Sequence, residues 1–135
     1  MHDEVRELVG RMHSMRDSDS PSRVREMLQA FIKTNPGIKD FSRVTFDRLG
    51  LQDLILSGLN FEEAQFLGCN LHNSRLEQCR LHTTIFGLSI AADKSVVPTS
   101  CGQVRFTEAI AHDTIFRGDF QGAQSRQCFS TRCTF

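Results

Sequence analysis

The chain contains no tryptophan and no tyrosine, yet it has eleven phenylalanines in 135 residues. An aromatic set with no polar handle is of the kind that fills a core. Neither sign of charge is in excess: Lys and Arg number 16, and so do Asp and Glu. The balance is local as well, with eight basic residues against seven acidic in residues 1–43 and eight against nine in 44–135. A basic footprint for nucleic acid is therefore missing, and so is the acidic surface of a nucleic-acid mimic; no direct nucleic-acid binding is expected. No apolar run approaches the roughly 20 residues of a membrane helix. The opening MHDEVRELVG carries acids where a signal peptide needs a basic, then apolar, stretch. Five cysteines without a CxxC pair suggest a reducing compartment, and a cytoplasmic location without membrane attachment is expected. The length suits one domain with a single core.

What is present is a period. Phe46, Leu51, Leu56, Phe61, Phe66, Leu71, Leu76, Leu81 and Phe86 stand five apart without slippage, and all are Leu or Phe. Two residues before each of these centres come Val44, Leu49, Leu54, Leu59, Ala64, Cys69, Ser74, Cys79 and Thr84, none of them charged. The charged residues between 44 and 86 (Asp47, Arg48, Asp53, Glu62, Glu63, Arg75, Glu77 and Arg80) avoid both columns. A helix of period 3.6 or a strand of period 2 cannot produce this. A chain that turns a corner every five residues can, with two residues of each five pointing inward. Four such sides close a twenty-residue coil, and coils stack at about 4.8 Å so that their backbones hydrogen-bond. Phe46, Phe66 and Phe86 then form one internal aromatic ladder.

The stretch LNFEE-AQFLG-CNLHN-SRLEQ-CRLHT (residues 59–83) closely resembles the pentapeptide-repeat family, whose motif is written A(D/N)Lxx; TIFRG and DFQGAQ further on are similar. The resemblance implies an all-β solenoid, a right-handed quadrilateral β-helix, over residues 41–135. It also implies that small residues such as Ala, Cys, Ser and Thr fill the slot two before each centre. Cys69, Cys79, Cys128 and Cys133 occupy that slot and read as filler; Cys101 is the exception, expected to be exposed in a loop.

The pattern degrades after Phe86 and resumes at Val104/Phe106, Ala109/Ala111 and Thr114/Phe116. It then slips by one residue to Gly118/Phe120, Ala123/Ser125, Cys128/Ser130 and Cys133/Phe135. Ser89/Ala91 and Thr99/Cys101 fit degenerate repeats, but an inward Lys94 would be an unpaired buried charge. With Pro98 following, residues 92–98 are expected to form a loop thrown out of the solenoid. Asp93, Lys94, Val96, Val97 and Pro98 are its candidate partner-binding residues. The slip near Gly118 is expected to mark a bulge or tightened corner.

Residues 1–40 are expected to form a small helical cap of two short helices. Val5, Leu8, Val9, Met12 and Met15 lie on one face of the first, and Val24, Met27, Leu28, Phe31 and Ile32 on one face of the second. Ser20-Pro21 reads as the second helix's start and Asn35-Pro36-Gly37 as its stop. A solenoid end exposes apolar side chains and unpaired backbone, which such helices would cover. The chain itself ends on a repeat centre, so either its last coil pairs with a second copy or a longer protein continues from it. Phe129 and Phe135 are the candidate seam residues for end-to-end pairing, as in the dimers of quinolone-resistance members of the resembled family; the alternative is a last coil that tucks Phe129 inward.

No catalytic, cofactor-binding or metal-binding residue is expected. Cys69 and Cys79 fall on opposite sides of one coil, as do His72 and His82, so neither pair can converge on an ion or a substrate. An enzyme is not expected. The reading is a non-enzymatic protein-interaction or scaffold module whose partner is unknown, with a homodimer through the C-terminal coil as one arrangement. By resemblance, part of a bacterial effector secreted without a classical signal peptide fits as well. The alternative is a DNA mimic that protects gyrase or topoisomerase, which the neutral charge disfavours.

Overall fold

The computed structural model describes residues 3–16, 22–106, 108–112, 114–116, 118–119, 123 and 129–131. Helices α1 (Asp3–Met15) and α2 (Ser22–Thr34) come first. The strands that follow are short: β1 (Thr45–Asp47), β2 (Gln65–Leu67), β3 (Ile85–Ile90), β4 (Val96–Ser100), β5 (Ile110–His112), β6 (Ile115–Phe116), β7 (Gly118–Asp119) and β8 (Phe129–Thr131). One sheet runs β1-β2-β3-β4-β7, with β6 also on β3, and β5 pairs with β8 apart from it.

The register carries the architecture. Strands β1, β2 and β3 are parallel, with Phe46 opposite Phe66 and Phe66 opposite Phe86. Isolated parallel bridges repeat the same twenty-residue step elsewhere: Asp40 with Asn60, Gly50 with Asn70, Ile55 with Arg75 and Asn60 with Arg80. The backbone therefore returns onto itself after four pentads, and each layer hydrogen-bonds the next, as in Leu51 N–H to Asn70 O at 2.7 Å and Phe61 N–H to Arg80 O at 2.9 Å.

All nine centres from Phe46 to Phe86 are buried, and so is every residue two before them. The inward spacing comes from the corners. Arg43, Arg48, Asp53, Glu63, Asn73, Gln78, Thr83, Gln103 and Glu108 all have positive φ, as do Gly58 and Gly68. Each stands two residues after a centre, where one left-handed residue turns the chain. Such a conformation costs a typical side chain roughly 1–2 kcal/mol and a glycine almost nothing. Interlayer hydrogen bonds and core burial offset that cost at every corner.

Phe86 stacks on Phe66 at 5.0 Å between ring centroids, and Phe66 on Phe46 at 4.9 Å. One further centre precedes those the spacing picked out: Phe41 is fully buried, with its ring 5.9 Å from Phe61 and 6.2 Å from Phe31 of α2. Charged Lys39 two residues earlier hides this repeat from a search on both columns. Val5, Leu8, Val9 and Met12 of α1 and Val24 and Leu28 of α2 join the same core. Ser20 and Pro21, read as the start of α2, lie outside the described residues.

The slot two before each centre has a second role in the later layers. Cys69 Sγ donates to Phe46 O at 3.0 Å, Ser74 Oγ to Leu51 O at 2.5 Å, Cys79 Sγ to Leu56 O at 2.8 Å and Thr84 Oγ1 to Phe61 O at 2.7 Å. Each donor reaches the carbonyl of a centre 23 residues earlier, in the layer before. Thr99 Oγ1 reaches Phe66 O in the same way at 2.8 Å, and Thr114 Oγ1 reaches Leu81 O. The slots of the first layer hold Val44, Leu49, Leu54 and Leu59, which have no donor. Thr84→Val removes one of these bonds at nearly constant volume. Phe61 O still accepts from Ala64 N–H at 3.0 Å, so the change should cost about 0.5–1.5 kcal/mol in equilibrium denaturation, the net worth of one hydrogen bond.

The expected loop at 92–98 is an ordered hairpin. Strands β3 and β4 pair antiparallel, with Leu88 opposite Pro98, Ser89 opposite Val97 and Ile90 opposite Val96. The tight turn Ala91–Ser95 closes it through Ala91 N–H to Ser95 O at 2.9 Å, with Lys94 left-handed at φ 68°. Val96, Val97 and Pro98 thus belong to a strand. The alternation of apolar and small residues along 88–90 suits a half-exposed hairpin, a period-two signal too short to stand out beside the period of five. Across the hairpin the interlayer step becomes thirty, with Asn70 against Ser100, Arg75 against Arg105 and Phe86 against Phe116, so it adds ten residues. Thr99 and Cys101 then resume the core columns, both fully buried. Cys101 is therefore not loop-exposed: it takes a centre position. Beyond Gly118 the step is nineteen, with Thr99 against Gly118 and Ile110 against Phe129, which is the one-residue slip.

Candidate interaction surface

The hairpin has two unlike faces, because side chains alternate along a strand. Ser89 and Val97 turn toward the layers. Leu88, Ile90, Val96 and Pro98 turn away, as two cross-strand pairs, and are exposed: Ile90 by 68%, Val96 by 61% and Leu88 by 50%. Ile55 is the one other large hydrophobic side chain among the described residues that is exposed to this degree. Of the residues expected to bind a partner, Val96 and Pro98 lie on this outer face, half-buried Val97 lies beneath it, and Asp93 and Lys94 form the tip. Leu88 and Ile90 were missed; reading 88–90 as an alternating strand would have found them.

The hairpin is seated at two points. Gly68, at φ +65°, passes directly under it: a Cβ there would stand 2.8 Å from Ser89 Cβ and 3.0 Å from Val97 O. Ser89 Oγ donates to Asp47 Oδ1 at 2.5 Å. Asp47 also receives Arg16 at Oδ2, 3.1 Å, and Arg48 at 3.4 Å. Burial pushes the Asp47 carboxyl up, but the Ser89 hydrogen bond and the Arg48 and Arg16 charges outweigh it and hold the group below its ordinary range. At the tip, the Asp93 carboxylate accepts from Ser95 N at 2.9 Å and Ser95 Oγ at 2.6 Å, and these bonds hold its pKa down.

The outer sides of the layers are paired within themselves. Arg43 Nε meets Glu63 at 3.1 Å, Arg80 meets Glu62 at 3.3 Å, and Asn73 donates to Asp53 at 3.0 Å. Exposed pairs of this kind contribute little stability. Burial pushes the thiols of Cys69 and Cys79 up to about 12, so both stay protonated and un-nucleophilic at neutral pH. No group of three His, Cys, Asp or Glu that could hold a metal occurs among the described residues. Phe129 lies in β8 opposite Ile110, while Phe135, Cys128 and Cys133 lie outside the described residues.

Residues 51–82 match the family model of pentapeptide repeats, in 8 copies. The chain carries pentapeptide repeats over this stretch. Such repeats imply a β-helix, and no enzyme family is indicated. Comparison with curated proteins found no match. Among solved structures, a pentapeptide repeat protein from the Arabidopsis thaliana thylakoid lumen is 25% identical over 63% of this chain and 57% of its own, with a TM-score of 0.32. HetL, a pentapeptide repeat protein involved in heterocyst differentiation regulation in the cyanobacterium Nostoc, is 19% identical over 70% of this chain and 46% of its own, with a TM-score of 0.36. The chain thus spans less than two thirds of either solved structure. No helix among its described residues is long and apolar enough to cross a membrane.

Proposed function

We propose that this chain is a non-enzymatic protein-interaction module: a right-handed, four-sided β-helix, capped at its first layer by α1 and α2, that presents the outer face of the 88–98 hairpin to a protein partner. The observation that carries the reading is the uncharged cluster of Leu88, Ile90, Val96 and Pro98, held outward on a firmly seated hairpin. Exposing Ile and Val costs the free protein hydrophobic free energy that a partner's apolar side chains would recover. A rigid base lowers the ordering cost of binding. The fitting occupant is a protein segment with two or three apolar side chains and no charge at its centre, since none of the four outer residues can pair with one.

Ile90→Glu together with Val96→Glu places two carboxylates on this face without touching a buried side chain. The double variant should keep the wild-type melting temperature within a few degrees and lose at least tenfold in affinity for the partner captured by the wild type, measured by titration with the purified partner. Arg75→Ala, an exposed change on another side of the layers, should bind unchanged. Undiminished binding by the double variant would remove the hairpin from the interaction.

A further inference from the structure

The polar cluster beneath the hairpin joins three parts of the chain. Asp47 N–H donates to His13 Nε2 of α1 at 3.1 Å. Arg16, one residue beyond α1, donates to Asp47 O at 2.7 Å and to its carboxylate at 3.1 Å. The carboxylate's remaining contacts are Arg48 at the following corner and Ser89 of β3. The end of α1, the first layer and the hairpin therefore meet at one residue.

A ring nitrogen that accepts a hydrogen bond carries no proton, so this contact requires neutral imidazole at Nε2. We propose that His13 is a pH-sensitive latch: its neutral ring holds the end of α1 on β1, and protonation in mildly acidic solution releases that end. A proton on Nε2 would face the Asp47 N–H donor to donor. It would also place a second cation beside Arg16. Asp47 offers little compensation, because its two carboxylate oxygens already accept from Ser89, Arg16 and Arg48. The other group in contact is the Val9 carbonyl on α1 itself, which favours the protonated ring, as does the Asp47 charge. Burial, followed by the Arg16 charge, outweighs them and lowers the His13 pKa.

The sign follows by linkage. The latched state binds the proton less tightly than the released state, whose histidine titrates near the ordinary value of about 6.5. Latching is complete above that pH and weakens as the pH falls below it toward the lowered value.

Hydrogen exchange of the α1 amides, corrected for the intrinsic pH dependence of exchange, tests this in the full chain at pH 7.5 and 5.5. The opening constant of α1 should rise severalfold at pH 5.5 in the wild type, within the ceiling of about tenfold per pH unit that one titrating group allows. It should stay flat in His13→Gln, whose side-chain oxygen can accept the same N–H without titrating. His72→Gln, a change at an exposed histidine, should keep the wild-type response. An equal rise in wild type and His13→Gln, or no rise in either, overturns the latch. If His13→Gln does not fold, the NMR titration of His13 in the wild type decides: a midpoint below the ordinary histidine value of about 6.5 supports the latch, and one at or above it overturns it.

Discussion

Phe66→Ala should destabilise the protein by about 3–5 kcal/mol, the range for deleting a buried phenylalanine. Its ring is fully buried and sits between two stacked partners, Phe46 at 4.9 Å and 14° and Phe86 at 5.0 Å and 5°, with Phe61 edge-on at 5.2 Å. The site should collapse poorly, because the neighbouring rings are held in their own layers by interlayer backbone pairing. The lost stacking adds to the lost burial. Equilibrium denaturation in urea measures the effect, with Arg75→Ala as the reference. Arg75 is exposed and its side chain meets Glu77 at 3.9 Å, so its removal should stay within about 0.5 kcal/mol. Equal costs for the two variants would mean that the inward column has been misassigned.

The second large effect is expected at Gly68. Gly68→Ala should cost about 2–5 kcal/mol, combining about 1–2 for a side chain in the left-handed region with about 1–3 for overpacking. The added methyl would meet Ser89 Cβ at 2.8 Å and the Val97 carbonyl at 3.0 Å, and neither is the free end of a flexible side chain. Gly58 supplies the control, since it stands at the equivalent corner with φ +75° and meets nothing closer than the tip of Lys39 at 3.9 Å. Gly58→Ala should therefore cost the backbone contribution alone, about 1–2 kcal/mol. The difference between the two variants in the same denaturation experiment reports how tightly the hairpin is seated. Identical costs would show the hairpin lifted from the layer at Gly68.

That comparison also marks how far the sequence could be read. Gly58, Gly68 and Asn73 are visible as turn-prone residues two after a centre. Arg48, Glu63, Gln78 and Thr83 take the same left-handed conformation with no such signal, because pairing with the neighbouring layers imposes it. The change in the small slot from Val44, Leu49, Leu54 and Leu59 to Cys69, Ser74, Cys79 and Thr84 was open to reading as the boundary of the first layer. Only later layers have an earlier carbonyl to receive a hydroxyl or thiol. Cys101 was misplaced because the hairpin's length was not known; ten inserted residues preserve the count of five, and the repeat re-enters in phase beyond them.

By itself the sequence determined which side chains face inward from Phe46 to Phe86, that layers stack twenty residues apart, and where the count slips by one. These follow from local spacing, since a strict period of five leaves one pair of positions in each pentad free of charge. Tertiary structure alone decided that Gly68 lies beneath the 88–98 hairpin and that His13, Asp47 and Ser89 meet. Those contacts join residues 21 to 42 apart on different elements, where proximity depends on how the layers and helices pack, and no periodicity along the chain encodes it.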